Sequence, residues 1–513
     1  MRTLSRRAFS RLLLLPAGAA LVGCRRRSSA LASRGAGAAS IELDATRSVG
    51  AFDRLSGVHG SPAPIVEGEP ELVRPFREAR IAASRFPQDC YPNTLTLAGV
   101  FPDENVDPES AASYHFEAID RHVRAAREAG AEILWQSSYD VGRSDRWVGP
   151  NLGGRAPENL ARWGRVVTRC LEHFNNGFAG GFERAVRNVE FVNEPDGLGG
   201  FNSGHEKRLL PAFLHFLDTL EAYNRAHPAT AVRAVGPGVP LSIAEWSQWR
   251  PRFDTALRAI VSAGKQLPVF SFHTYGDDVS PRGNIRLAKE LRALLDAHGL
   301  AATELWNTEW LAGDFLRKHL ALDKEKAASA TEHDQRRYGS AMAAYAVACK
   351  IGWQGVVRGS YYYRANVRAF PPGYQPPLAA GGLGYGRFFG AGGRLNALAL
   401  QERLLSEVAA VTPERCALSL TEEDTLFALG LRSPDAKTVA LLVANLAREP
   451  RTVALRVRGL GALSARIRCA LVDETNDITL RELGASAQSS GTHSVALDVG
   501  PLSSAWLLIE GQG

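Results

Sequence analysis

Cysteine is scarce: six in 513 residues, at Cys24, Cys90, Cys170, Cys349, Cys416 and Cys469. Their wide spacing excludes the disulfide framework that staples small secreted domains. Buried free thiols are the default reading. A Cys416–Cys469 bridge is left open, since both fall on strand-like runs of one C-terminal region. No Cys/His spacing suggests zinc. His115 and His122 stand seven apart with no matching ligand motif, and read as packing residues. No metal or organic cofactor is implied. An excess of one charge is also lacking. The formal net charge is +6, but Arg2, Arg6, Arg7, Arg11, Arg25, Arg26 and Arg27 crowd the N-terminus; without these seven, 53 basic residues face 54 acidic ones. The body is near neutral and carries no electrostatic footprint for nucleic acid. Long apolar runs are missing. Leu12–Val22 is apolar but too short to span a hydrocarbon layer about 30 Å thick. What remains, 45% apolar and 22% charged residues, is the composition of a globular protein with a large core.

The N-terminus reads SRRAFSRLLLLPAGAALVGC. Ser5-Arg6-Arg7-Ala8-Phe9 resembles a twin-arginine export signal. Leu21-Val22-Gly23-Cys24 resembles a lipobox, in which cleavage leaves Cys24 as a lipidated N-terminus; an ordinary signal peptide with a chance cysteine is the alternative. Residues 1–24 therefore read as a signal peptide and 25–40 as a flexible tether rich in Arg, Ser, Ala and Gly. An acyl chain on Cys24 would hold the protein at a membrane surface without a spanning helix. The expected location is outside the cytoplasm, periplasmic or on the cell surface.

Between residues 41 and 395, short apolar runs alternate with longer amphipathic ones. Strands are expected near Leu55–His59, Ile81–Phe86, Glu132–Ser137, Val189–Asn193, Val232–Gly236, Val269–His273, Leu305–Thr308 and Val356–Tyr361. YHFEAIDRHVRAAREAG illustrates the intervals: Phe116, Ile119, Val123 and Ala126 recur at helical spacing and Gly130 supplies the stop. Eight strand–helix units predict a (β/α)₈ TIM barrel. A doubly wound sheet is the competitor, but no glycine-rich dinucleotide fingerprint follows the first strand. The glycines at Gly381–Gly386 and Gly390–Gly393 follow the eighth strand and read as a loop.

Residues 396–513 change texture. Val453, Leu455 and Val457 alternate with polar or small residues, as do Val495, Leu497 and Val499, which is the period of half-buried strands. A C-terminal antiparallel β-sandwich domain is expected. SIELDA, residues 40–45, alternates too and is a candidate to cross over and join it.

In such a barrel, active sites sit at the C-terminal ends of the strands. RNVEFVNEPD ends the fourth strand on Asn193-Glu194-Pro195-Asp196. A carboxylate buried there is costly unless it is used or paired. A second, Glu309 in LWNTEW, ends the seventh strand. Glu304, in the same segment, falls at the strand's start and so at the opposite end. Two carboxylates facing each other across a barrel mouth are the requirement of glycosidic-bond hydrolysis: one donates a proton to the leaving oxygen, and the other attacks the anomeric carbon. SFHTYG on the sixth strand adds His273 and Tyr275, the tyrosine being placed to hydrogen-bond the nucleophile. Arg85 on the second strand is a cation suited to steady that carboxylate. Asn193 is placed to bond a sugar hydroxyl. Trp310 and Tyr361 are expected to line the mouth, where apolar sugar faces stack on aromatic rings.

Asn193-Glu194-Pro195 and Thr308-Glu309-Trp310 resemble the motifs of clan A glycoside hydrolases. LSGVHG, SRFPQD, FVNEPD, AVGPG, SFHTYG and NTEW, in that order, look most like family 39. The resemblance covers about residues 41–511. It implies a retaining glycosidase acting on β-xylosides, iduronides or bacterial exopolysaccharides, with Glu194 as acid/base and Glu309 as nucleophile. Many clan members end strand eight on tryptophan; GSYYYRAN offers Tyr361 or Tyr362 instead. Three readings follow: an exo-glycosidase, an endo-acting polysaccharide hydrolase, and a non-catalytic carbohydrate-binding surface lipoprotein. The expected partner in each is an oligo- or polysaccharide.

Overall fold

The computed structural model describes residues 39–512, apart from 65–70, 87–94, 104, 139–157, 195–205, 276–279, 312–331, 366–387, 390–392, 422–423, 463, 474–478 and 488–490. The expected signal peptide, Cys24, Cys90, Pro195 and the glycine-rich stretches from Gly381 to Gly386 and from Gly390 to Gly392 lie outside these residues. Among the described residues no helix is long and apolar enough to cross a membrane.

The chain forms two compact units, residues 53–403 and a second made of the N-terminal segment to Phe52 with Leu404–Gly513. In the second unit, β1 (Ala39–Ala51) lies between C-terminal strands. In the first, eight strands close a barrel: β2 (Gly57–His59), β3 (Ala83–Phe86), β4 (Glu132–Gln136), β5 (Val186–Glu190), β6 (Arg233–Pro240), β7 (Val269–Thr274), β8 (Glu304–Trp310) and β9 (Gly359–Tyr363). Every neighbouring pair is parallel, and β9 returns to pair with β2. The eight-stranded TIM barrel read from the sequence is the observed fold. Leu134, Val235, Val269, Trp306 and Tyr361 pack into one apolar cluster from five of its strands.

The helices between strands follow from their patterning. Glu117–Ala129 buries Ile119, His122, Val123 and Ala126 on one face, and Gly130 ends it in the left-handed conformation, φ 76°, which costs glycine little. His122 is thus a packing residue. Pro281–Ala297 starts from Ser280, whose hydroxyl accepts from the Arg282 N–H, with Pro281 in the first turn.

The second unit is one nine-stranded sheet. It joins β1 to β10 (Glu414–Leu420), β11 (Leu426–Arg432), β12 (Thr438–Asn445), β13 (Arg451–Arg458), β14 (Ser464–Val472), β15 (Thr479–Ala487), β16 (Thr492–Val499) and β17 (Ser503–Gln512) in the order β15-β14-β17-β12-β11-β10-β1-β13-β16. All its pairings are antiparallel except β1 with β13. The layers of the expected sandwich are this single sheet curled around its own core, which includes Ile41, Leu43, Leu441, Val453, Leu455 and Ile509. Breaks in register of β1 against β10, at Asp44–Ser48 and Ser48–Gly50, bend the strand where the sheet curls. Cys416 and Cys469 are both buried and free. They sit on β10 and β14, with three strands between them in the sheet order, so no bridge joins them.

Candidate active site

The site is built on Arg85, on β3 at the barrel's second position. Its guanidinium is fully buried and every edge of it is engaged. Nε donates to Glu190 Oε2 at 2.5 Å, Nη1 to Glu309 Oε2 at 2.7 Å, and Nη2 to Asn193 Oδ1 at 2.9 Å. Nη2 also lies 3.3 Å from His273 Nε2. A guanidinium only donates, so His273 Nε2 is the acceptor and the ring proton belongs on Nδ1. That nitrogen lies 2.8 Å from Glu194 Oε1 and 4.0 Å from Glu309 Oε2. One cation therefore orients both carboxylates, Glu309 directly and Glu194 through the imidazole.

Glu194 lies four residues beyond the last residue of β5, past the strand end expected at Asn193. Its backbone φ is 40°, an uncommon value for a residue with a side chain. Its N–H donates to the Gly238 carbonyl at 3.1 Å. The Asn193 N–H donates to Ser138 Oγ, and Gln136 Nε2 donates to Asn193 Oδ1. With Arg85 and Gln136 both on Oδ1, the Asn193 amide is fixed with its NH₂ as the group left to donate. Glu309 is 5% and Glu194 22% exposed at the side chain: the first sits deeper and the second nearer solvent.

Donor atoms of Glu194, His273 and Glu309 all fall within 4.8 Å of one another. A cation set among them would meet the Arg85 charge already seated at Glu309, so the cluster fits a proton-transfer pair better than a metal centre.

Two further buried residues adjoin the pair, and the sequence reading assigned neither of them a role. His59, at the end of β2, places Nε2 3.3 Å from Glu309 Oε2. Burial pushes its ring well below the usual histidine range, and Arg85, Arg364 and His273 push it further. The ring is neutral, so it faces Glu309 as a hydrogen-bonding group. Glu190, at the end of β5, is fully buried. Burial raises its carboxyl, but the Arg85 guanidinium, with His273, more than offsets this and holds it below the ordinary carboxylate value. Arg85 is destabilised by its own burial and held charged by Glu190 and Glu309.

The aromatic residues divide differently from expectation. Trp310 is 0% exposed and bonds Ser360 Oγ through its indole N–H. Its ring meets Trp353, on the helix Glu332–Trp353, and Tyr362 edge-on. It therefore packs behind the barrel wall rather than in the mouth. The cause is a break in the register of β8 against both neighbours, at Phe272–His273 on β7 and between Asn307 and Trp310 on the β9 side. Strict alternation would put Trp306, Thr308 and Trp310 on one face. With the break, Trp306 and Glu309 face inward and Trp310 outward. Tyr361 does point inward, but one layer too low, against Trp306. Strand β9 runs on past Tyr361, and Tyr363 is the tyrosine at the level of the carboxylates. Its ring is 5.2 Å from His59 and 6.2 Å from Tyr275, edge-on to the latter. Tyr275 is half-buried beside the site, and its ring meets that of Tyr363. Glu304 is bound to Arg233 and to the Trp306 indole at the other end of the barrel.

No family model matches the chain, and no curated protein does. Solved structures do. A glucosidase from Croceicoccus marinus is 22% identical, with a TM-score of 0.68, over 93% of this chain and 100% of that one. A GH39 enzyme from Xanthomonas axonopodis pv. citri is 14% identical, with a TM-score of 0.62, over 92% and 97%. A monomeric β-xylosidase from Caulobacter crescentus CB15 is 17% identical, with a TM-score of 0.62, over 92% and 100%. The architecture of barrel and accompanying sheet is shared with these glycoside hydrolases.

Proposed function

We propose that this chain is a retaining glycoside hydrolase. The observation that carries the reading is the pair Glu194 and Glu309, with carboxylate oxygens within 4.8 Å at one end of a closed barrel. Retaining enzymes hold their two carboxyl groups about 5–5.5 Å apart, too close for the interposed water of the inverting route. Roles follow from surroundings. Glu309 is deep, and Arg85 beside it favours the ionised form; it attacks the anomeric carbon. Glu194 is nearer solvent, and the His273 N–H holds its carboxyl in place; it protonates the departing oxygen. Glu194 then takes a proton from the water that releases the glycosyl-enzyme. The Asn193 NH₂ is available to a sugar hydroxyl. The substrate we assign is a β-xyloside-like glycoside or an exopolysaccharide, a choice supported by the resemblance of the motifs and by the xylosidase among the similar structures. On the residues Ser5–Phe9 and Leu21–Cys24 we place the enzyme outside the cytoplasm, anchored through an acyl chain on Cys24.

The test is direct. Glu309→Ala abolishes cleavage of activated aryl glycosides, and a 2-fluoro glycoside labels Glu309 in the wild type, located by peptide mass spectrometry. A Glu309→Ala enzyme with most of its turnover intact would sink the assignment.

A further inference from the structure

Glu190 is a third carboxylate in the site, and it has no place in the two-carboxylate mechanism. It is 0% exposed and lies on the far edge of Arg85 from Glu309, so it does not reach a substrate. Its Oε2 takes the Arg85 Nε proton at 2.5 Å. That bond leaves Nη1 and Nη2 to face Glu309, Asn193 and His273. The Gly238 backbone closes over it: a Cβ there would stand 3.4 Å from Glu190 Oε1, and the φ of Gly238 is +71°.

The charges matter as much as the geometry. Arg85 alone against Glu309 would be a closed ion pair, with the nucleophile's electrons held by the cation. Glu190 divides that cation between two carboxylates. Glu190, Arg85 and Glu309 together carry one negative charge. That charge favours retention of the Glu194 proton and keeps Glu309 basic enough to attack.

We propose that Glu190 is a positioning residue that sets the working pH of the two catalytic carboxylates, by sharing Arg85 with Glu309 and by adding a fixed negative charge beneath the pair. The proposal rests on the hydrolase reading and deepens it.

Glu190→Gln keeps the volume and an acceptor for Arg85 Nε but removes the charge. Without it, the ionised forms of Glu309 and Glu194 are both favoured. Both limbs of the pH profile of kcat/KM on an aryl glycoside should move to lower pH by about one unit, with a rate loss at the optimum of about ten- to a hundredfold. Glu190→Asp keeps the charge and withdraws it by one methylene; its rate falls while its limbs stay near the wild-type positions. Limbs that do not move in Glu190→Gln, or that move to higher pH, overturn the proposal. So does failure of both variants to fold, judged by circular dichroism and thermal melting, since Glu190 would then be structural only. A second readout needs no substrate: in ¹⁵N-arginine-labelled protein, the Arg85 Nε–H signal, assigned through Arg85→Lys, is protected from solvent exchange, keeps that protection in Glu190→Gln, and loses it in Glu190→Ala, which removes the acceptor. If the wild type cleaves no glycoside but this signal behaves as stated, the hydrolase reading has failed and the Glu190–Arg85 pairing has not.

Discussion

Arg85 Nη1 lies 2.7 Å from Glu309 Oε2, joining residues 224 apart in sequence within a wholly buried ion pair. Removing one partner of such a pair strands the other charge, which costs about 3–5 kcal/mol. Arg85→Met therefore destabilises the barrel by that order and leaves Glu309 without its orienting donor. Arg85→Lys keeps the charge but not the fork that meets Glu190, Glu309 and Asn193 together. Its expected signature is a kcat loss of about a hundredfold with a thermal midpoint closer to wild type, measured by steady-state kinetics and calorimetry.

The two inward tyrosines of β9 separate binding from packing. Tyr363 stands beside His59 and Tyr275 at the level of the carboxylates, whereas Tyr361 packs on Trp306 in the layer below. Tyr363→Ala raises KM about tenfold and weakens inhibition by a sugar-shaped lactam, and, since the ring is buried, it costs stability as well. Tyr361→Ala opens a cavity and costs about 3–5 kcal/mol. A reversal of the two effects, read by kinetics and urea unfolding, would place the substrate elsewhere.

His122 supplies a pH dependence of stability. Burial, with Arg121 adding to it, lowers the ring from the usual 6.5 to about 3. The folded ring stays neutral while the unfolded one takes a proton below about 6.5, so the unfolded state binds more protons across that window. Stability from this residue is complete above pH 6.5 and is lost as the pH falls toward 3, by about 1.4 kcal/mol per unit. His122→Leu flattens that part of the curve. Urea unfolding midpoints at pH 4, 5, 6 and 7 check it, and equal slopes for the two proteins would refute it.

Closure of the barrel depends on Gly57. A Cβ at that position would stand 2.6 Å from the Ser360 carbonyl and 2.9 Å from Tyr361 Cδ1, across the seam between β2 and β9. Backbone cannot yield as a side chain does. Gly57→Ala should cost about 1–3 kcal/mol, seen as a lower thermal midpoint. Its kcat should stay near wild type in the protein that remains folded.

Much of this was legible in the order of residues because it is local. Each barrel strand is a short apolar run between turn signals, and a polar residue that ends such a run is carried to the barrel rim. Arg85, Asn193, Glu194, His273 and Glu309 could be gathered in this way, since knowing which strand each one ends suffices to bring them together. What could not be read is what register decides. Glu190 falls inside the strand expected over Val189–Asn193, whereas the observed β5 ends on it, and the barrel's stagger brings it under Arg85. His59 ends a three-residue strand and faces Glu309 because β2 closes on β9. The break in β8 exchanges the faces of Glu309 and Trp310, and one more pleat of β9 replaces Tyr361 with Tyr363. Sequence sets which side chains a strand offers, by its period of two. The direction each one faces depends on hydrogen bonds to a neighbouring strand made tens or hundreds of residues away, and those form only when the cylinder shuts.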